Sequence, residues 1–257
     1  MNEFLRTEKQ IASYWQEGFV LLGRVLDDDQ LAALRAEEAR FRGYVQYSLA
    51  DGKTVFPDKT STIFRNQLAN YSEPLREVYL RGRHIAVMRQ IIGPTVWGVF
   101  NQFVTKLPDP NVQTAEFPWH QDNGYGDNPV ATNVTVWCAL DDVDERNGCV
   151  WVVPGSHKLG LLDHKSTGTS WHLTVRAPSD GISVPLKAGE AVAFSGLTLH
   201  RSLANHTDKP RRAFFMQYGD YAANARLDGK LGLVTTPLYL VCGALPYPMP
   251  DGTTSTA

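Results

Sequence analysis

From Val96 onward the chain breaks into short runs rich in β-branched and aromatic residues, separated by Gly, Pro, Asn and Asp. The runs are 96–105, 116–121, 132–140, 149–153, 182–186, 190–195, 198–203 and 211–218. Eight short strands with turn chemistry between them argue for an antiparallel sandwich or barrel of the jelly-roll kind. The first part of the chain has a different texture. Thr7 followed by Gln10 opens an apolar-periodic segment with a capping-box pattern, and Gly18–Leu22 is a short buried-strand run. Asp27, Asp28 and Asp29 then place negative charge where the next helix begins and its dipole favours it. Residues 7–43 thus predict helix, strand, helix, and 74–92 a further helical stretch stopped by Gly93-Pro94.

Helices grouped ahead of a β half are expected to pack outside one sheet. The expected fold class is mainly β with α: a double-stranded β-helix (jelly-roll, cupin-like) core over about 96–220, with a helical N-terminal half, 7–93, on one sheet. No repeat, low-complexity tract or linker interrupts residues 1–257, which predicts a single domain. Segment 44–73 has little periodicity, and a loop that long predicts a lid or partial disorder; the tail 245–257 is expected to fray.

Composition narrows the partners. At 43% hydrophobic and 20% charged residues the chain is globular rather than disordered. Lys plus Arg number 25 against 27 Asp plus Glu, so no basic excess exists to neutralise a nucleic acid. The longest apolar runs, such as Val150–Val153, fall far short of a membrane span. Met1-Asn2-Glu3-Phe4 is no cationic start to a secretory leader, and Cys138, Cys149 and Cys242 are spaced for neither a disulfide framework nor a zinc knuckle. The expectation is a cytoplasmic protein acting on a small molecule, without nucleic acid or membrane; oligomeric state leaves no mark in the sequence.

The chemistry-bearing segment is Trp119-His120-Gln121-Asp122. On a strand, residues two apart share a side, so His120 and Asp122 could reach one ion, and imidazole plus carboxylate suits iron(II), manganese or zinc. His200, in the strand-like 197–203, is the candidate third ligand. His157 and His206 lie in turns, His164 and His172 in a loop-like stretch and His84 on a charged helical face, all read as exposed or locally bonded. Two histidines and one carboxylate leave three adjacent positions open on an octahedral ion, as in non-haem iron(II) oxygenases. Arg211 follows His200 by 11 residues across a tight turn. Alternation puts His200 and Ser202 on one face, and Arg211, Ala213, Phe215 and Gln217 on one face of the partner strand. A guanidinium inside a barrel needs an anion. Held by Arg211 and Ser202, the far carboxylate of a five-carbon 2-oxo-dicarboxylate would supply it, while the near end chelates the ion. The alternative is that Arg211 pairs with a protein carboxylate, its neighbour Arg212 facing solvent.

The blocks Trp119–Asp122, Trp137–Asp142, Asn147–Val150, Val153–His157, Gly189-Glu190 and His200–Ser202 with Asn205 and Arg211 resemble the phytanoyl-CoA dioxygenase family of iron(II)/2-oxoglutarate oxygenases. Gly18-Phe19-Val20 and Ile92-Gly93-Pro94 extend the resemblance over roughly 10–220. It implies Fe(II) on His120, Asp122 and His200. It also implies 2-oxoglutarate on Arg211 and Ser202 with Trp137 lining the pocket, further contacts from Gln102 or Thr105, and O2 as the other co-substrate. Asn147-Gly148 and Pro154–Ser156 need no role beyond turn geometry. Related halogenases carry a small residue in place of the carboxylate, so Asp122 implies oxygen transfer.

The expected reaction is hydroxylation of an unactivated C–H bond of a biosynthetic metabolite with release of succinate and CO2. Desaturation, cyclisation and epimerisation share its first step. Candidate substrate residues are Trp119, Tyr125, Phe215 and Gln217, with Arg65, Asn66 and Gln67 from the lid; alternation turns Tyr218 away, and each has an alternative role in packing or at the surface. Near-neutral charge gives no support to an acyl-CoA substrate. Competing readings are a cupin-like isomerase or hydrolase using zinc or manganese, and a barrel that binds a ligand without turnover.

Overall fold

The computed structural model describes residues 4–50, 61–109, 116–124, 133–166, 171–220 and 239–242, for 43–50, 166 and 171 by backbone only. Helix α1 (Glu8–Glu17) starts on the anticipated capping box: Thr7 Oγ1 accepts from Gln10 N at 3.3 Å, and Gln10 Oε1 accepts from Thr7 N at 2.9 Å. Such a cap is worth about 1 kcal/mol. Gly18, at φ 84°, ends it in the left-handed region, where a Cβ would also lie 2.6 Å from Thr198 Oγ1. Strand β1 (Phe19–Arg24) and helix α2 (Asp28–Ala50) follow. The expected single helix over 74–92 is two, α3 (Glu73–Arg81) and α4 (Ile85–Ile92), broken at Gly82, whose backbone is extended and against which the His84 ring packs.

The predicted strands are present as β3 (Val96–Lys106), β4 (Phe117–His120), β5 (Val134–Ala139), β6 (Val150–Val152), β9 (Ile182–Val184), β10 (Glu190–Ser195), β11 (His200–Ser202) and β12 (Arg211–Gly219). Four more were not anticipated: β2 (Thr62–Asn66), β7 (His164–Ser166), β8 (Trp171–Leu173) and β13 (Tyr239–Cys242). Every pairing is antiparallel. The major sheet runs β1-β10-β5-β12-β3-β13, with β2 also on β3; the minor sheet runs β4-β11-β6-β9, and β7 and β8 form a separate hairpin.

Much of 44–73, expected as an irregular loop, is regular structure. Residues up to Ala50 continue α2, and β2 pairs with β3 from Thr62↔Lys106 to Asn66↔Gln102. Leu68 and Ala69 are buried in a single 3-10 turn. Edge pairing supplies the order that local periodicity lacks. Residues 51–60 and the tail 245–257 lie outside the described residues.

Alternation along β12 sorts the interior into two cores. Phe214, Met216 and Tyr218 face the helices and pack with Leu34, Leu75 and Met88. Ala213 and Phe215 face the minor sheet and pack with Val104, Trp137 and Phe194. This is the jelly-roll arrangement, with helices covering one sheet and the site-bearing interior between the two. No helix among the described residues is long and apolar enough to cross a membrane.

Candidate metal centre

Strands β4 and β11 are neighbours in the minor sheet, and their register sets His200 opposite His120 with ring centroids 4.0 Å apart. Each Nδ1 faces a carbonyl, Pro118 O at 2.8 Å for His120 and Thr198 O at 3.0 Å for His200. A carbonyl only accepts, so each Nδ1 carries the proton and each Nε2 presents a lone pair. Asp122 is not on the strand as expected, because β4 ends at His120 and Asp122 opens a 3-10 turn. The turn still brings Asp122 Oδ1 to 3.8 Å from His120 Nε2 and 3.4 Å from His200 Nε2. Among the described residues this is the one group of His, Cys, Asp and Glu built to hold an ion, its ligand atoms all within 4.8 Å of one another. Phe117 packs edge-on to His120 at 4.5 Å and Phe194 tilts onto His200 at 4.6 Å, fixing both rings from the side.

Electrostatics favour ligation. Burial, helped by neighbouring His200, pushes His120 down to about 3, so its imidazole is neutral at physiological pH. Burial acts to raise the Asp122 carboxyl, but His200, His120 and the Thr135 hydroxyl outweigh it and hold the group below its ordinary value. Thr135, which the sequence reading missed, donates to Asp122 Oδ2 at 2.5 Å and accepts from Gln217 Nε2 at 3.4 Å. Oδ2 is thereby occupied and Oδ1 left for the ion. Two buried lone pairs converging on a carboxylate form a nitrogen–oxygen donor set suited to Fe(II).

On the face of β12 that Ala213 and Phe215 turn to the barrel interior, Arg211 is 1% exposed. Its guanidinium carbon lies 5.3 Å from the centre of the Trp137 ring, and Nη1 reaches Val104 O at 3.4 Å. Nε is buried and finds no hydrogen-bond partner among the described residues, nor does any carboxylate there lie within ion-pair distance. The nearby acid, Asp141, is taken by Arg212 at 2.6 and 2.9 Å, so Arg212 is paired rather than simply facing solvent. Burial pushes the Arg211 guanidinium down to about 10, which still leaves it charged at neutral pH. A buried cation without its anion marks where an anionic ligand belongs.

Strand register decides the remaining candidates. Gln102 sits opposite Phe215, on the face of β3 that looks into the barrel. Thr105 does not: three residues along, it faces the helices and donates to Glu38 Oε1 at 2.7 Å, so it is no co-substrate contact. Trp119 is likewise corrected. It points away from His120 to the outer face, where Arg201 stacks over it at 4.7 Å and over Trp151 at 5.3 Å. Arg65 pairs with Phe103, a helix-side residue, and donates to Phe64 O at 2.8 Å, whereas Asn66 shares the barrel face with Gln102. Phe215 lines the interior, its ring 6.2 Å from Phe100, and Gln217 is spent on Thr135. Tyr218 is turned away as expected, donating to Tyr79 O at 2.6 Å. Tyr125 lies outside the described residues.

Two histidines placed in loops belong to the hairpin β7–β8 instead, and His164 supports the ligand segment: its Nε2 accepts from Gln121 N at 2.9 Å. Gln121 ties that segment down further, donating to Gly160 O at 2.8 Å and Leu197 O at 2.7 Å. His84 is not on a charged face but fully buried against the Tyr218 hydroxyl at 2.7 Å. Alternation could have found Thr135, two residues before Trp137 on the same strand.

The family model described as phytanoyl-CoA dioxygenase matches residues 14–213. The chain belongs to the phytanoyl-CoA dioxygenase family. It is 25% identical over 225 residues to the peroxisomal phytanoyl-CoA dioxygenase of Rattus norvegicus, covering 80% of this chain and 66% of that one. The chain therefore spans just under two thirds of that relative. It is 24% identical over 233 residues to the ectoine dioxygenase of Nocardia farcinica, covering 82% and 76%. Among solved structures, the epimerase SnoN in complex with Fe3+, alpha ketoglutarate and nogalamycin RO superposes with a TM-score of 0.68 at 25% identity, covering 84% of both chains. Fe(II), 2-oxoglutarate and O2 are thus the metal and co-substrates that a phytanoyl-CoA dioxygenase family site takes. The residues here fit them: a neutral-imidazole and carboxylate donor set for the ion, and a buried guanidinium with no carboxylate partner among the described residues for the anion.

Proposed function

We propose that this protein is an Fe(II)- and 2-oxoglutarate-dependent dioxygenase that hydroxylates an unactivated C–H bond of a small-molecule metabolite. One observation carries the reading: Arg211 is buried with no protein carboxylate among the described residues, on the barrel interior that also holds the His120–Asp122–His200 triad. A hydrolase or isomerase of cupin type has no need of that cation, and a non-catalytic barrel has no need of the triad.

Bound iron supplies oxygen activation coupled to conversion of 2-oxoglutarate to succinate and CO2, with the second oxygen atom entering the substrate. The chain's own groups do the rest. His120, Asp122 and His200 would hold the ion through two imidazole nitrogens and one carboxylate oxygen. Thr135 keeps Oδ1 of Asp122 turned to the ion by holding Oδ2. Arg211 and Ser202 receive the far carboxylate, and the Trp137 ring beneath the guanidinium keeps water from competing for it. Phe215 and Phe100 give the interior an apolar wall with Gln102 as a polar group on it, while Asn66, on the same face of β2, is exposed. That lining fits a small or mid-sized neutral metabolite better than an acyl-CoA. The free cysteines Cys138, Cys149 and Cys242 fit a reducing, cytoplasmic setting.

The test is iron-dependent succinate release from 2-oxoglutarate across a metabolite library, with mass spectrometry of the products. A mass gain of one oxygen is expected. Absence of succinate with every compound and in the uncoupled reaction overturns the reading, and a coupled product without added oxygen replaces hydroxylation by desaturation, cyclisation or epimerisation.

A further inference from the structure

Lys106 is a fully buried lysine that the reaction above leaves unused. It ends β3 directly opposite Arg211. Its Nζ crosses to the minor sheet and donates to Ser202 O at 3.0 Å and Leu203 O at 2.5 Å. The contact is returned by Asn205, whose Nδ2 donates to Lys106 O at 3.0 Å. Gly148 closes on the same spot from the other side: a Cβ there would lie 2.5 Å from Leu203 O and 3.2 Å from Lys106 Cδ. The turn that leaves β11 is therefore fastened to Lys106 by three hydrogen bonds and walled in by a glycine.

Backbone carbonyls can be satisfied by a neutral donor at far lower desolvation cost than by an ammonium. A lysine here does something a neutral donor would not, which is to place a second positive charge beside Arg211. Burial and the Arg211 charge pull the Lys106 ammonium well below its ordinary pKa, Glu116 pulls the other way, and an anion held beside the two cations favours the charged form. Resting on the function proposed above, we propose that Lys106 is a positioning residue of the co-substrate pocket. It fixes Ser202 against Arg211 and, by its charge, makes the pocket select a 2-oxo acid with an anionic tail.

The experiment measures binding of 2-oxoglutarate and of 2-oxopentanoate, whose tail is neutral, to the Mn(II)-loaded protein by calorimetry. Lys106→Met is expected to weaken 2-oxoglutarate about 10- to 100-fold while shifting 2-oxopentanoate only about threefold or less, so the preference between them collapses. Mn(II) affinity itself is expected to stay within about threefold, because the Lys106 ammonium is directed at the Ser202 and Leu203 carbonyls, past the ligand His200. In the double variant with Ser202→Ala the losses are expected to be less than additive, since one residue acts partly through the other. Lys106→Gln, which retains a donor for the carbonyls, is carried in parallel so that a folding defect in the methionine variant does not decide the matter; it is expected to fold and to shift the preference the same way. Equal losses for both acids would reduce Lys106 to a scaffold residue and overturn the proposal, as would unchanged 2-oxoglutarate binding in either variant. A wild-type protein that binds neither acid overturns the proposed function instead.

Discussion

His120 and His200 face each other across adjacent antiparallel strands and aim Nε2 at one atom, Oδ1 of Asp122, at 3.8 and 3.4 Å. With both Nδ1 protons committed to carbonyls, neither ring can turn its other nitrogen inward without losing a buried hydrogen bond. His120→Ala, Asp122→Ala and His200→Ala are each expected to abolish iron-dependent succinate release and weaken iron binding more than about 100-fold, beyond what outer partners control. Equilibrium dialysis against ferrous iron checks this, and wild-type affinity in the His200 variant would overturn the ligand assignment.

Thr135 is the hinge of a relay from Gln217 to Asp122. Thr135→Val keeps the shape and removes the hydroxyl, freeing the carboxylate to rotate. Iron affinity or turnover is expected to fall about 10- to 100-fold with the fold intact. Gln217→Leu, one step further out, should lose less; the reverse order would dissolve the relay.

Arg211→Met removes the buried cation and little else. The KM for 2-oxoglutarate is expected to rise by about 10- to 150-fold, corresponding to about 1.5–3 kcal/mol for a charge-assisted pair, with iron affinity unaffected. An unchanged KM would place the carboxylate elsewhere.

Thr105 offers a control on the same strand. Its hydroxyl serves Glu38 beneath α2, not the barrel interior. Thr105→Val should leave the 2-oxoglutarate KM unchanged while lowering stability by about 1–2 kcal/mol, because Glu38 loses a buried partner. A large change in KM would contradict the register of β3.

His84 predicts a pH dependence. Burial pushes it down to about 3 from an ordinary 6.5, while its Nε2 meets the Tyr218 hydroxyl at 2.7 Å. Between those values the unfolded chain binds a proton that the native state refuses. Stability is therefore complete above pH 6.5 and lost as the pH falls toward 3, at up to about 1.4 kcal/mol per pH unit for this one group. His84→Gln is expected to flatten the slope by that amount in urea titrations of the metal-free protein; a slope equal to wild type would show that His84 is not a source of it.

The barrel strands were legible because turn residues bracket apolar runs, and the triad because its ligands sit in short, distinctive motifs. Other features depend on contacts that no local pattern records. Thr62–Asn66 becomes a strand only because the edge of β3 is there to pair with it. Trp119 is a candidate by its place beside the metal-bearing strands and Thr105 by the family resemblance, but strand parity sends each to the wrong face. Asp122 left its strand and still reached the site, since a 3-10 turn can deliver a carboxylate as well as a pleat can. Lys106 at the end of a strand reads as a solvated terminus, and only the approach of residues 202–205 makes it buried.

The carbonyl of Gly18 accepts from Ser195 N at 2.9 Å and from Thr198 Oγ1 at 2.8 Å, and Thr198 O in turn receives the Nδ1 proton of His200. A helix cap near one end of the fold and a metal-ligand brace near the other thus share one carbonyl junction across 180 residues, so the second imidazole's support is fully set only once that long-range contact has closed.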